Sequence, residues 1–356
     1  MPCSSLFEPI RIGGLELANR LAVGPMHQFS AENGCMSDWH LIHLGHLAFS
    51  GAGVLIIETT AVLPEGRTTP ADVGLWNDQT QSALCLTIES IRRWCDVPIA
   101  VELGHAGRRG STEVPWLGGG PIAPGTGRDW RTVAPSALPF QSGQTPPRAL
   151  DRLDLQRIRE GFANAAARAS RAGVDAIQLH AGDGQLLHQF LSPRSNRRDD
   201  AYGGSLHNRM RFPLEVFEAV RNALPARCPV TVRIPAYDGA GNGWSIEQAV
   251  VLAQALEARG CDGFQVCTGG LLAQPAPTRA REMAAVRRVK RSIDTPVILA
   301  VAEPDFERVE ALVTDGHADV VALTRTLVES PRWPWHAARS LHGAVARPIQ
   351  YRYLAG

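Results

Sequence analysis

The run LHAGDGQLLHQF at residues 179–190 sets His180, Asp183 and Gln185 at offsets of three and five. An imidazole near a carboxylate suits acid–base work, because histidine titrates near neutral pH. An ionised aspartate only accepts hydrogen bonds, and the amide of Gln185 donates them but has no usable acid proton. His27, in GPMHQF, and Glu102, in VELGHAGRRG, add two further titratable groups. His27, Glu102, His180 and Asp183 are therefore the acid–base candidates. Arg233 and Arg325, each read alone, are surface or strand-end ion pairs. Other constellations carry less. His40, His43 and His46 recur at every third residue, but one helix supplies only part of a metal-ligand set, barrel helices face away from the mouth, and no metal site is expected. Cys267 reads as a small apolar filler. No GxSxG elbow supports a hydrolase.

These side chains need elements to position them. Short apolar runs recur at 21–24, 53–57, 97–103, 174–179, 229–234, 262–267, 296–301 and 319–323. Near-continuous apolar runs are the pattern of parallel strands buried on both faces. The stretches between them carry helical spacing: Leu155, Ile158, Phe162, Ala165 and Ala169 share one face, and Phe212, Val216 and Val220 repeat at every fourth residue. Eight strands alternating with eight helices predict an α/β fold, a (β/α)8 TIM barrel formed by residues 1–356 as one domain. The alternative, a doubly wound open sheet, lacks a GxGxxG after its first strand.

Barrel active sites lie at the C-terminal ends of the strands. That rule collects Pro25, Met26 and His27, then Glu58 and Thr59, Glu102 to His105, His180 to Gln185, Arg233, Cys267 to Gly270, Ala302, Thr324 and Arg325. The insertion 104–150 after strand three is expected to form a lid on that face. Its Trp116 and Trp130 either line a pocket or pack the lid onto the barrel.

Composition narrows the partners. There are 36 basic and 35 acidic residues, a net charge of +1, so nothing favours nucleic acid or a membrane surface. No run approaches the roughly 18 apolar residues of a spanning helix. The seven scattered cysteines and a start lacking a cationic-then-apolar leader fit a cytoplasmic protein.

Longer motifs are more specific. They are LFEPIRIGGLELANRLAVGPM, GAGVLIIETTAVLPEGRTTPADVGLWND, VELGHAGRRG, LHQFLSPRSNRRDDAYGGSLHNRMRF and DVVALTRTLVESPRWPWHAA. With them the chain resembles, almost end to end, the old yellow enzyme family of FMN-dependent oxidoreductases, in particular its bacterial ene-reductase branch. The resemblance implies FMN across the barrel mouth, with NADPH or NADH as reductant and a small-molecule substrate. It implies that Gly24, Pro25, Met26 and His27 flank the flavin and that Arg233 sits where reduction creates negative charge. Arg325 would hold the phosphate. Thr59, Glu102, Gly270, Ala302 and Thr324 would complete the cofactor site. It also implies a homodimer or homotetramer. In this branch the C-terminal tail, here 344–356, often reaches a neighbouring subunit's site; Tyr353 occupies the position of the reaching arginine, with Arg352 one residue off.

The departures from that family cluster at the chemistry. Asp183 replaces the second donor to a substrate carbonyl, after His180, and Gln185 replaces the proton-donating tyrosine. His27 stands for a cysteine, Phe29 for a tyrosine that often reaches substrate, and Glu102 for a glutamine that reads the flavin edge. Thr59, Ala302 and Thr324 each add bulk. Catalysis would then rest on His180, Asp183, Gln185 and His27, with Phe29, His180, Asp183, Trp116 and Trp130 at the substrate. General-acid help is worth ~10²–10⁴-fold, so losing the tyrosine predicts altered redox or isomerisation chemistry. The alternative is a flavin-free acid–base enzyme (isomerase, cyclase or lyase) in an inherited barrel. A non-catalytic binding protein is the third reading.

Overall fold

The computed structural model describes residues 4–141, 144–238, 242–271 and 279–352. Eight parallel strands close a barrel: β1 (Leu21–Val23), β2 (Val54–Ala61), β3 (Ile99–Gly104), β4 (Ala176–His180), β5 (Val230–Pro235), β6 (Gly263–Cys267), β7 (Val297–Val301) and β8 (Val320–Leu323), with β8 paired to β1. Closure excludes the open doubly wound sheet. Among the described residues the longer helices are α1 (Asp38–Ala48), α2 (Asp78–Arg92), α3 (Arg152–Arg171), α4 (Leu206–Asn222), α5 (Ile246–Glu257), α6 (Arg279–Lys290), α7 (Phe306–Thr314) and α8 (Trp333–Ser340). The spacing read from sequence is the buried face of α3: Ile158, Phe162, Ala165 and Ala169 are all fully buried. Each large side chain there contributes roughly 1.5–3 kcal/mol on burial. Asp151 starts α3 by accepting from the Asp154 N–H at 2.9 Å.

The barrel has two kinds of filling. Its lower interior is apolar, with Ala22, Val54, Ile56, Ala100, Ala176, Ile298, Val320 and Ala322 in one cluster. Ile12 and Leu17, from the hairpin of Ile10–Ile12 and Leu15–Leu17, join that cluster and plug the bottom. Side chains alternate along a strand, so the inward positions near the top are two residues further on. There the sequence turns polar. Ile56 is followed by Glu58, Ala100 by Glu102, Gln178 by His180, Thr231 by Arg233 and Gln265 by Cys267. A polar layer above an apolar plug fixes which end does chemistry.

The connection between β3 and α3 holds short turns at Gly107–Arg109 and Pro115–Leu117, and paired strands Val133–Ala134 and Arg148–Ala149. Arg108 anchors it with a 2.9 Å bond to the Leu271 carbonyl, and Gln189 donates to the Ala106 carbonyl at 2.9 Å. Arg109 binds the carbonyls of Asp183 and Gly270. Among the described residues no helix is long and apolar enough to cross a membrane.

Candidate active site

Glu102 is the most enclosed charge at the mouth, with no solvent exposure. Register pairs it with Gln178, and His180 with Arg233 on the next strand. The Thr59 hydroxyl donates to Glu102 Oε1 at 2.5 Å. An irregularity in β2 between Ile57 and Thr60 accompanies this reach, as bulges re-aim side chains. Arg233 lies 3.4 Å from Glu102 Oε2 and also binds the Asp183 carboxylate. Glu102, Asp183 and Arg233 thus converge, as their sequence positions led one to expect. Burial pushes the Glu102 carboxyl up from its ordinary range, against Arg233 and the Thr59 hydroxyl. Its neutral form, both donor and acceptor, is brought closer to hand. Burial lowers the Arg233 pKa, but Asp183 and Glu102 more than offset it and hold the guanidinium charged.

His180 is buried with its Nε2 3.6 Å from Asp183 Oδ2 and 3.9 Å from Glu102 Oε1. Its Nδ1 accepts from the Gly182 N–H at 3.3 Å, so the neutral ring carries its proton on Nε2. Burial, then Arg233, drives its pKa well below 6.5. It is a neutral donor, not an acid. Asp183 sits at φ 46° and Gly184 at φ 76°, a left-handed pair that turns the aspartate back onto Arg233. Gln185 is buried and occupies the N-cap position of the short helix Leu186–Leu191, with no side-chain cap bond. Cys267 is buried and bonds the Ile234 carbonyl at 3.4 Å, in keeping with a filler.

A second cluster lies beside the first. His27 Nδ1 is 3.6 Å from Glu58 Oε2, and its ring stacks on Phe29 at 5.3 Å and 15°. Burial alone would lower the His27 pKa; Glu58, then Asp72 and Glu102, outweigh it and raise it to about 9. His40 Nε2 lies 3.5 Å from the other Glu58 oxygen. The expectation that α1 histidines face away from the mouth is corrected here. His40 is buried because it occupies the first turn of α1, where its Nδ1 accepts from the Ser37 N–H at 3.0 Å. Sequence reading gave Glu58 no role. The available signal was its place two residues after the inward Ile56.

The rim completes the arrangement. Pro25 and Met26 are half-buried, and Gly24 has no room for a side chain, since a Cβ would stand 2.7 Å from Thr324 Cγ2. Gly270, at φ +81°, packs on the Asp183 backbone, where a Cβ would come within 2.5 Å. Ala302 and Arg325 are exposed past β7 and β8, and the inward Ala300 is half-buried, so the barrel top is open on that side. Trp116 is exposed and meets Phe29 edge-on at 6.0 Å. Trp130 is engaged elsewhere: its Nε1 donates to the Glu65 carbonyl at 3.1 Å and its ring covers Arg67. Arg352 is exposed, and Tyr353 lies outside the described residues.

Residues 5–343 match the model of the NADH:flavin oxidoreductase / NADH oxidase family. The chain belongs to this family, that of the old yellow enzymes. It is 37% identical over 346 residues to an NADH:flavin oxidoreductase of Gibberella zeae, covering 92% of this chain and 84% of that one. It is 33% identical over 351 residues to an NADPH dehydrogenase of a Geobacillus species, covering 97% of both. Among solved structures, morphinone reductase superposes with a TM-score of 0.79 at 28% identity, covering 98% of this chain and 92% of that one. This old yellow enzyme is accordingly an oxidoreductase using FMN and a nicotinamide coenzyme, and the flavin-free alternative is set aside. Its mouth fits that cofactor. The top is open beside Ala300, Ala302 and Arg325, and the Arg233 Nε is a buried donor with no partner among the described residues.

Proposed function

We propose that this old yellow enzyme is an FMN-dependent NAD(P)H oxidoreductase acting on a C=C or CH–CH group of a small molecule, with His27 in place of residue 185 as the proton donor. The placing of the titratable groups at the mouth carries this reading. The Asp183 carboxylate is spent on Arg233, Gln185 has no acid proton, and His27 is the imidazolium beside Phe29.

Bound FMN supplies the hydride chemistry. The protein's own groups do the rest. His180 Nε2–H is the donor left to polarise a substrate carbonyl. Asp183 holds Arg233 and faces that N–H, a positioning part that differs from binding a substrate cation. Arg233 offers its free Nε to the cofactor ring, with Glu102 and Thr59 beside it. Arg325 binds the phosphate, and Gly24, Pro25, Met26, Gly270, Ala302 and Thr324 line the cofactor's path. The 104–150 connection serves as a lid. The contacts of Arg109 to Asp183 and Gly270, and of Trp116 to Phe29, support that role, whereas Trp130 supports the lid from behind.

The test is the oxidative half-reaction. Protein purified yellow is reduced anaerobically with NADPH and mixed with a panel of enones. His27→Gln should slow reoxidation by ~10²-fold or more, the low end of general-acid help, without slowing reduction. Reoxidation at the wild-type rate in that variant would remove His27 from the mechanism.

A further inference from the structure

We infer that Glu58 and His40 are positioning residues for His27, forming a buried imidazole–carboxylate–imidazole chain from the first turn of α1 to the mouth. The inference rests on the reading of His27 as proton donor, and it concerns two residues to which that reading gives no part.

The geometry runs in one direction. His40 Nδ1 accepts from the Ser37 N–H at 3.0 Å and lies 3.2 Å from the Ser37 hydroxyl, so its proton belongs on Nε2. That Nε2 faces Glu58 Oε1 at 3.5 Å, with both residues almost fully buried. Glu58 Oε2 accepts from the Gln28 N–H at 3.1 Å and faces His27 Nδ1 at 3.6 Å. A backbone N–H bonds one buried carboxylate, and two imidazoles face it at ion-pair distance, with no other hydrogen-bond partner for either facing nitrogen among the described residues. Isolated, a buried carboxylate would take up a proton. Here burial does raise Glu58, but His27 and His40 overcome it and hold the group ionised.

An ionised Glu58 settles two properties of His27. It draws the ring's proton to Nδ1, which leaves Nε2 as the nitrogen that can exchange a proton with substrate. It also stabilises the imidazolium, as a buried carboxylate does for a catalytic histidine elsewhere. The charged and titratable groups around His27 come from several elements: Glu58 on β2, Asp72 in the following loop, Glu102 on β3, His40 on α1 and His180 on β4. Asp72 is already bound to the Thr68 N–H at 2.7 Å and the Thr69 hydroxyl at 2.6 Å, and Glu102 is shared with Thr59 and Arg233. Among the described residues Glu58 is the carboxylate that faces His27 directly, at 3.6 Å. The proton balance is simple: Nε2 gives its proton to the substrate carbon as hydride arrives at the other carbon. The ring becomes neutral with its Nδ1–H still toward Glu58, and solvent returns the Nε2 proton through the exposed edge of His27.

Imidazole ¹⁵N–¹H NMR of the FMN-loaded protein tests this without relying on turnover. In the wild type, His40 should report the Nε2–H tautomer and His27 should titrate far above an ordinary histidine. In Glu58→Gln the His27 midpoint should fall by about one to three pH units, the range for losing a close opposite charge. Glu58→Asp keeps the charge and should restore most of the rise. A His40 Nδ1–H tautomer, or an unmoved His27 midpoint in folded Glu58→Gln, overturns the inference; the tautomer decides it if that variant does not fold. A midpoint that falls while the alkaline limb of kcat/KM stays in place supports the chain but refutes His27 as proton donor.

Discussion

Restoring the two lost donors should move this protein toward ordinary enone reduction. The perturbation is Asp183→Asn with Gln185→Tyr. Position 185 is buried, and its side chain reaches toward Gly104, where a Cβ would stand 3.9 Å from Gln185 Oε1. A phenol placed there recovers a general acid worth ~10²–10⁴-fold, or about 3–5 kcal/mol of barrier. The gain should fall near the lower limit, ~10²-fold, because His27 already supplies a proton. The cost is the Asp183–Arg233 pair. The Asp183 side chain is 27% exposed, so the pair lies between a surface pair and a buried one, and Asp183→Asn should cost about 1–2 kcal/mol. Arg233 keeps Glu102 at 3.4 Å, so no buried cation is stranded. The assay is anaerobic stopped-flow reoxidation of the NADPH-reduced enzyme by cyclohexenone, beside FMN content and urea unfolding. A double variant that is folded, fully loaded and reduced at the normal rate, yet no faster on the enone, would show that positions 183 and 185 do not face the substrate.

Three further outcomes follow from the same geometry. His27 is raised from 6.5 to about 9 by folding, so its stabilisation is complete below about pH 6.5 and is lost as pH rises through 9. The unfolding free energy from urea titrations should drop over that window by on the order of 3 kcal/mol, and His27→Gln should abolish the step. Thr59→Val strips Glu102 of its hydroxyl donor; in chemical denaturation the loss should cost about 1.5–3 kcal/mol if Glu102 is ionised and about 0.5–1.5 kcal/mol if it is neutral, and an unchanged stability would mean that the hydroxyl does not support Glu102. Gly270→Ala forces a Cβ into the Asp183 backbone at a positive φ, so it should lower FMN retention on dialysis and cost more than about 1 kcal/mol, whereas a fully retained cofactor would detach this turn from the site.

Local pattern decided much of this protein. Period-two alternation sent Glu58, Glu102, His180 and Arg233 into the barrel mouth, because each lies two residues beyond a position facing the interior. Apolar runs and the α3 stripe specified strands and helices for the same reason: burial acts on neighbouring residues of one element. The long motifs fixed the family. What pattern could not supply was the partner of each charge. Its residue type suits Asp183 to act as a base or to bind substrate, but a left-handed turn swings it onto Arg233, fifty residues away. Helical spacing puts His40 on an outward helix, yet its position in the first turn of α1 brings it to Glu58. Residue type leaves Trp130 between lining a pocket at the substrate and packing the lid, and the fold sets it over Arg67. Residue type sets only what a group can donate, accept or hold as charge. Which group it meets, and whether water screens the meeting, follows from chain closure and burial, and those exist only in the folded barrel.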